Sequence, residues 1–322
     1  MENEVLSPET LVEAVRYFSD ADTCLSYLVP IRWPQGVTCP HCSGAENSFI
    51  TTRRIWRCKG CKKQFSVKIG TIMEDSPLGL DKWLVAIWLI ANAKNGISSW
   101  ELHRALGITQ KSAWFLLHRI RLAMQNGTLT KLKGEVVVDE TFIGGKARNM
   151  HKDKRAEKIH GRGASGKAIV VGVLERGGQV RTKVVADTRK DTLQGEVRAN
   201  VEAGSLVCTD ALSSYEGLAA DYVHEAVDHA KEYVRGNVHT NGLENYWSLL
   251  KRCIKGTYVS VEPFHLFRYL DEQAFRYNQR KNADGTVKTD GKRFDDVLGA
   301  VAGKRLTYSV LTGNASERPP AP

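Results

Sequence analysis

The sequence predicts a multi-domain α+β protein, and three observations carry that expectation. Two Cys-x2-Cys pairs, Cys39/Cys42 and Cys58/Cys61, are separated by fifteen residues near the start of the 322-residue chain. Residues 80–126 then show the apolar period of helices. From residue 134 onward the texture changes to short apolar runs, "GEVVVDETFIGG", "KAIVVGVLERGG", "QVRTKVVAD" and "SLVCTD", which read as strands. Helical patterns return at 191–202, 240–254 and 263–280.

Residues 8–28 read as one helix, with Ser7 as N-cap, Pro8 at the first position, and Leu11, Val12, Val15 and Phe18 as its apolar period. It belongs to an N-terminal helical segment, 1–37, which closes on the prolines and glycine of "VPIRWPQG". The cysteine pairs define a second domain, 38–67. Each pair suits a tight knuckle aiming two thiolates at one ion, and two knuckles complete a tetrahedral zinc site. Four sulfur ligands leave no open position, so this Zn2+ is structural. Two disulfides are the competing reading, disfavoured inside a cell. His41 is read as solvent-facing, and Cys24, Cys208 and Cys253 as small core residues. Residues 67–80 look like a linker.

The segment 80–126 holds "WLVAIWLIANA", too short to span a membrane, which needs ~20 apolar residues, and therefore a packed helix. "GISSWELHRALGITQKSAWFLLHRIRLAM" reads as helix, turn, helix. Ser98 or Ser99 caps the first helix, Gly107 makes the turn and Thr109 caps the second. Ala113, Leu116, Leu117 and Ile120 form the inner face. Gln110, Lys111, Ser112, His118, Arg119 and Arg121 then suit a DNA groove. The last domains are a strand-rich part, 132–282, and a tail, 283–322, rich in Gly, Asp and Lys and expected to be partly disordered.

Lys and Arg exceed Asp and Glu by 46 to 36, a net charge of +10. Such a balance favours polyanions, nucleic acid first. No targeting or membrane segment is apparent, and a cytoplasmic location is expected. On the cysteine domain, Arg53, Arg54, Arg57, Lys59, Lys62 and Lys63 alternate with Trp56 and Phe65, a pattern suited to gripping phosphates and stacking on bases. Between 146 and 167 stand Lys146, Arg148, Lys152, Lys154, Arg155, Lys158, Arg162 and Lys167, against only Asp153 and Glu157. This loop is expected to order on a DNA backbone.

Asp139 ends the apolar run "VVVDETF" and Asp210 ends "LVCTD". An ionised carboxylate at the end of a buried strand is costly unless a cation offsets it. In "HTNGLENYWSLLKRCIKGTY", Glu244 and Lys251 are seven apart, so ~3.6 residues per turn puts them nearly on one line of a helix. Leu243, Trp247, Leu250 and Ile254 form the apolar stripe beside them. Asp139, Asp210 and Glu244 converging on one point would hold Mg2+, which prefers hard oxygen ligands. Two such ions would serve phosphodiester transfer, with Lys251 near the substrate phosphates. Glu140 is set aside, because strand alternation points it to the opposite face.

"IRWPQGVTCPHC", "WRCKGCKKQFSV", "VVVDETFIGG", "HTNGLENYWSLLKR", "GTY" and "RYLDEQAFRYNQR" resemble, in order and over about residues 15–282, the bacterial insertion-sequence transposases that join a zinc ribbon to a DDE catalytic domain. The resemblance implies an RNase H-like mixed α/β fold for 132–282. It implies Mg2+-dependent cutting of DNA at the element's terminal inverted repeats and joining of the 3′-hydroxyl to target DNA. Carried over by motif, Asp139, Asp210 and Glu244 are the acidic residues and Lys251 the basic one, with Asn241 as the alternative to Glu244. The expected partners are DNA and a second copy of the chain, most simply as a dimer on DNA. The competing readings are a non-catalytic zinc-ribbon and helix-turn-helix regulator, and an RNase H-like nuclease that cleaves without joining.

Overall fold

A computed structural model describes residues 7–125, 130–145, 149–159, 165–227 and 240–314. Two compact units make up the chain. One takes residues up to Gln125 and from Gln279 onward; the other is Asn126–Asn278. The first begins with α1 (Leu11–Tyr17) and α2 (Ala21–Arg32), then β1 (Asn47–Ile50), β2 (Ile55–Cys58) and β3 (Gln64–Phe65), then α3 (Leu80–Asn92), α4 (Ser99–Leu106) and α5 (Gln110–Ala123). The second holds β4 (Glu135–Ile143), α6 (Lys152–Lys158), β5 (Ala168–Glu175), β6 (Val180–Val185), α7 (Lys190–Asn200), β7 (Leu206–Asp210), β8 (Val223–Val227), α8 (Asn241–Arg252) and α9 (Leu266–Asn278). The chain ends with α10 (Asp290–Gly299) and α11 (Tyr308–Leu311) of the first unit.

The single N-terminal helix expected over 8–28 is two. Thr10 and Glu13 form a reciprocal capping box that starts α1, and the Asp20 carboxylate caps α2 by accepting from the Thr23 N–H at 2.7 Å. Two local N-caps outcompete one continuous period. Ser7 is therefore no cap; its hydroxyl donates to the Asp295 carboxylate. Ala14 and Phe18 turn inward, while Val12 is 58% exposed and Leu11 and Val15 are also exposed. The expected linker is packed: Val67, Ile72 and Met73 are buried, and the Arg32 guanidinium donates to the carbonyls of Val67 and Ile69.

The C-terminal segment expected as a loose tail completes the first core. Phe294, Val297 and Leu298 of α10 are buried, with Phe294 against Phe18 at 5.5 Å and Tyr27 at 5.9 Å between ring centres. The Tyr27 hydroxyl donates to Asp295 at 2.6 Å. The apolar α3 is buried along most of its length, as expected of a packed helix. No helix among the described residues is long and apolar enough to cross a membrane.

In the second unit the sheet order is β6-β5-β4-β7-β8. β4 runs antiparallel to β5, and β5 to β6, whereas β4–β7 and β7–β8 are parallel. β4 is central, and Val136, Val137 and Val138 are all buried, which is why its sequence reads as a continuous apolar run. Val137 faces a core with Leu243, Trp247 and Leu250 of α8 and Leu270 of α9. Val136 and Val138 face the other core, with Leu193 and Val197 of α7 and with Tyr215. α8 continues into a π-helical turn, Cys253–Tyr258. β8 was not expected; it is a short edge strand whose "VHEAV" lacks an apolar run.

Truncating Phe294→Ala is expected to destabilise the first unit by about 3–5 kcal/mol, as for other buried aromatics. A urea midpoint unchanged by the substitution would show that the C-terminal helix is no part of this core.

Candidate functional site

The four cysteines meet. Their Sγ atoms all lie within 4.8 Å of one another, with Cys39–Cys61 at 3.7 Å and Cys42–Cys58 at 3.6 Å. Four sulfurs at ~2.3 Å from a tetrahedral zinc would stand about 3.8 Å apart, so the cluster fits that ion. The two knuckles repeat one geometry. Ser43 and Lys62 each follow the second cysteine at positive φ, 58° and 62°. The N–H groups of Cys39 and Cys58 donate to the carbonyls of Gly44 and Lys63. The backbone N–H of Cys61 lowers the Cys58 thiol toward the thiolate. Against the backbone N–H of Lys63, burial and the neighbouring sulfurs push the Cys61 thiol up, as close-set sulfurs without a cation should.

The basic residues around this cluster separate into two kinds. Arg53, Arg54, Arg57, Lys59, Lys62 and Lys63 are exposed. Arg54 is held bidentately by Asp22, at 2.6 and 2.9 Å. Trp56 and Phe65, expected to stack on bases, instead stack on each other at 5.9 Å and are buried. The three-stranded sheet of β1–β3 is too small to bury aromatics elsewhere, so they form its core.

The helix-turn-helix forms as expected. Ser98 caps α4 with Glu101 in a capping box, Gly107 is left-handed at φ 60°, and Thr109 caps α5. Lys111 is exposed and Gln110 half-buried near the N-terminus of α5. Arg119 is a correction: it is 4% exposed, donates to the Glu74 carbonyl and lies over the Trp83 and Phe115 rings, at 5.4 and 5.1 Å. His118 and Arg121 are buried too. Three polar residues at the far end of α5 thus belong to the packing of the unit, and of the expected DNA-facing residues Lys111 in the first turn is exposed. Of the basic loop, Arg155 is exposed on α6; Lys146, Arg148, Arg162 and the Lys154 side chain lie outside the described residues.

Asp139 and Asp210 come together at the end of the β4–β7 ladder. That ladder closes at Val137–Cys208, so continuing its register places Asp139 opposite Asp210, where the strands part. One carboxylate oxygen from each of Asp139, Glu140 and Asp210 lies within 4.8 Å of the others. Glu140 is a second correction. Alternation does send it to the α7 face, where it accepts from the Tyr215 hydroxyl at 2.9 Å. Its longer side chain still reaches the open strand ends beside Asp210. The signal was present in the adjacent acids of "VDET", but alternation alone hid it.

Asp139 accepts from the indole N–H of Trp247 at 2.8 Å. Trp247 reaches it because residue 172, paired with Asp139 across the β4–β5 ladder, is glycine: a methyl there would lie 2.6 Å from the Trp247 ring. Glu244, one turn before Trp247, is exposed and accepts from the Thr240 hydroxyl at 3.0 Å. Asn241 is the first residue of α8. Burial first, and then the charges of Asp210 and Glu244, push the Asp139 carboxyl up to about 6, against the pull of the Trp247 N–H. Burial first, with Asp210 and Asp139, pushes Glu140 up to about 7, against the Tyr215 hydroxyl. Clustered carboxylates that resist ionisation fit a divalent cation with hard oxygen ligands.

α8 packs against β4 and the Glu244 charge acts on Asp139, but Glu244 is not one of the acids gathered within 4.8 Å. Lys251, about 10 Å farther along the axis, reaches the far end of the strand. There it lines a cleft of about 760 Å3 with Ile143, Lys167 and Lys255.

The sequence matches the transposase zinc-ribbon domain over residues 19–64 and the ISXO2-like transposase domain over 131–278. It is 28% identical over 291 residues to an uncharacterized protein in transposable element ISH50 of Halobacterium salinarum, spanning 85% of this chain and 97% of that protein. It is 29% identical over 101 residues to an uncharacterized transposase-like protein of Haemophilus influenzae, 31% of this chain and 81% of that one.

The purified chain is expected to carry one zinc ion, and Cys58→Ser to lose it, since binding free energy in such sites is folding free energy; equal zinc content in both would contradict a four-cysteine site. A second outcome follows from the acids. Folded Asp139 and Glu140 titrate near 6 and 7, whereas unfolded carboxyls titrate near 4. Between those values the folded state holds more protons, so stability falls as pH rises from about 4 to 7. Without divalent cations, the melting temperature should drop by several degrees more between pH 5 and 8 in the wild type than in Asp139→Asn. Equal drops would mean that Asp139 is not strained in this way.

Proposed function

The chain belongs to the insertion-sequence transposases that join a zinc ribbon to an ISXO2-like transposase domain, and from that premise we propose that it cleaves DNA at the terminal inverted repeats of its element and transfers the 3′-hydroxyl to target DNA. The observation that carries this reading is the approach of Asp139, Glu140 and Asp210 within 4.8 Å just past the last paired residues of the β4–β7 ladder. A structural role gives no reason to gather these charges.

In this reading Asp139 and Asp210 would hold Mg2+, joined by Glu140 from the α7 face and Glu244 from α8. Two bound cations would supply activation of the attacking oxygen and stabilisation of the leaving one. The Trp247 N–H fixes the rotamer of Asp139 and leaves its other oxygen for the ion. The Tyr215 hydroxyl does the same for Glu140. Glu244 is preferred to Asn241 as the α8 ligand, because its charge acts on Asp139. Lys251 sets a positive charge beside the path of the DNA backbone.

The exposed Arg53, Arg57, Lys62 and Lys63 of the ribbon, with Gln110 and Lys111 at the start of α5, would recognise the element ends. Arg54 joins them if DNA displaces Asp22. Lys154, Arg155 and the other cations of the 146–167 loop would add backbone contacts. Two ends must be held at once, which requires at least a dimer on DNA. A regulator built from the same modules would bind its site without needing the acids, and a simple nuclease would leave no joined product.

Labelled DNA from the ends of the element, incubated with Mg2+, should yield new 3′-hydroxyl ends and joined products, and none with EDTA. Asp139→Asn should slow cleavage at least about a hundredfold. Binding without cleavage, equal in both proteins, would contradict the proposal; cleavage without joining would reduce it to a nuclease.

A further inference from the structure

The cleft beyond the end of β4 has a chemistry that duplex DNA does not need. A duplex presents only phosphates and sugars to a protein face unless a groove is entered, and cations suffice to hold it. This cleft pairs cations with apolar walls. Phe142, Ile254 and Val259 line it together with Lys167, Lys251 and Lys255. Phe142 is 37% exposed and Val259 77% exposed. Against the three lysines stands one lining carboxylate, Glu262, which suits the amino edge of a base.

The walls are tied into the surrounding packing. The π-helical turn widens α8 after Arg252 and carries Ile254 and Lys255 onto one wall. A buried network ties that turn to α9: the Tyr258 hydroxyl and the Arg276 guanidinium both reach the Glu272 carboxylate, and Arg276 also reaches the Cys253 sulfur at 3.4 Å. Val259 follows at φ 61°, a conformation that a β-branched residue adopts only under constraint. On the opposite wall residue 144 is glycine, and a methyl there would stand 3.1 Å from the Lys167 side chain. Both "GTY" and "RYLDEQAFRYNQR" thereby serve one wall of this cleft.

We propose that the cleft binds a single unpaired nucleotide of the DNA strand engaged at the acidic cluster, its phosphates on Lys167, Lys251 and Lys255 and its base against Phe142 and Val259. The volume accommodates one nucleotide and lies within the range of ordinary ligand pockets. Position limits which nucleotide it is. Ile143 is four residues beyond Asp139 on β4, about 13 Å at ~3.3 Å per residue. At 3.4 Å per nucleotide of one strand, the captured base stands within about four nucleotides of the phosphate at Asp139. Unstacking a base costs a few kcal/mol, and an apolar, aromatic wall offsets that cost. The strand belongs either to the element end or to the target, and the chemistry is the same. This inference rests on the function proposed above.

The test places 2-aminopurine, whose fluorescence rises when it leaves the stack, at each of the four positions on either side of the cleavage point. One series carries it in end DNA and a second in target duplex, each mixed with the full-length protein. A severalfold rise at one or two adjacent positions is expected, in one series or both, and the series that responds identifies the strand. Lys255→Glu and Phe142→Ala should abolish the rise. Phe142→Ala should also bind a five-nucleotide thymidylate strand roughly five- to a hundredfold more weakly. Lys255 is exposed, so its variant keeps the test valid if Phe142→Ala fails to fold. Flat fluorescence from a protein that binds and cleaves would overturn the nucleotide cleft and leave the function standing. A rise that persists in both variants would also overturn it, placing the unpaired base elsewhere. A protein that neither binds nor cleaves end DNA overturns both readings.

Discussion

Carboxylates gathered within 4.8 Å repel one another, and the second unit is arranged to hold them in place. β4 and β7 pair in parallel only as far as Val137 and Cys208, so their acids emerge where the ladder has already opened. The Trp247 N–H and the Tyr215 hydroxyl each hold one of the acids from opposite faces of the sheet. Gly172 removes the methyl that would push Trp247 away. Burial and mutual repulsion of the acids are the cost, the two hydrogen bonds offset part of it, and a bound cation, as proposed above, would offset the rest.

The first unit solves a different problem. In the three-stranded sheet around the cysteines, Trp56 and Phe65 are the large side chains that are buried, too little core to be stable alone. A zinc ion on the four cysteines would supply what the apolar surface cannot. The helices are completed from a distance in sequence: α10 inserts Phe294 beside Phe18 and Tyr27, and Ile72 donates its N–H to the Val301 carbonyl. The second unit is thus, along the chain, an insertion between two parts of the first.

Much of this was readable in the sequence where one local rule decides. Asp139 and Asp210 stand out because a charge ending an apolar run is rarely incidental, and the zinc knuckles because their spacing has one common use. The seven-residue offset of Glu244 and Lys251 correctly put them on one line of α8. Where two rules compete, the sequence was silent or misleading. Alternation predicted the face of Glu140 but not where the ladder ends. Trp247 read as part of an apolar stripe, which it is, while its N–H serves the site. Arg119, His118 and Arg121 carry the composition of a DNA-facing helix, yet long cationic side chains also pack their stems inward, and Arg119 does so against Trp83 and Phe115. Phe294, Val297 and Leu298 have helical spacing, but the charges between them gave the segment the look of a tail.

The most direct test of the central claim is equilibrium titration of the protein with Mn2+, which takes the same oxygen ligands as Mg2+ and is visible by paramagnetic resonance. The account predicts two bound ions close enough to couple, at about 3.5–4 Å. Asp139→Asn should lose both, and Glu140→Gln and Glu244→Gln should each weaken one. Mn2+ binding that is absent, or that Asp139→Asn leaves unchanged, would contradict the claim that these carboxylates are gathered to hold metal.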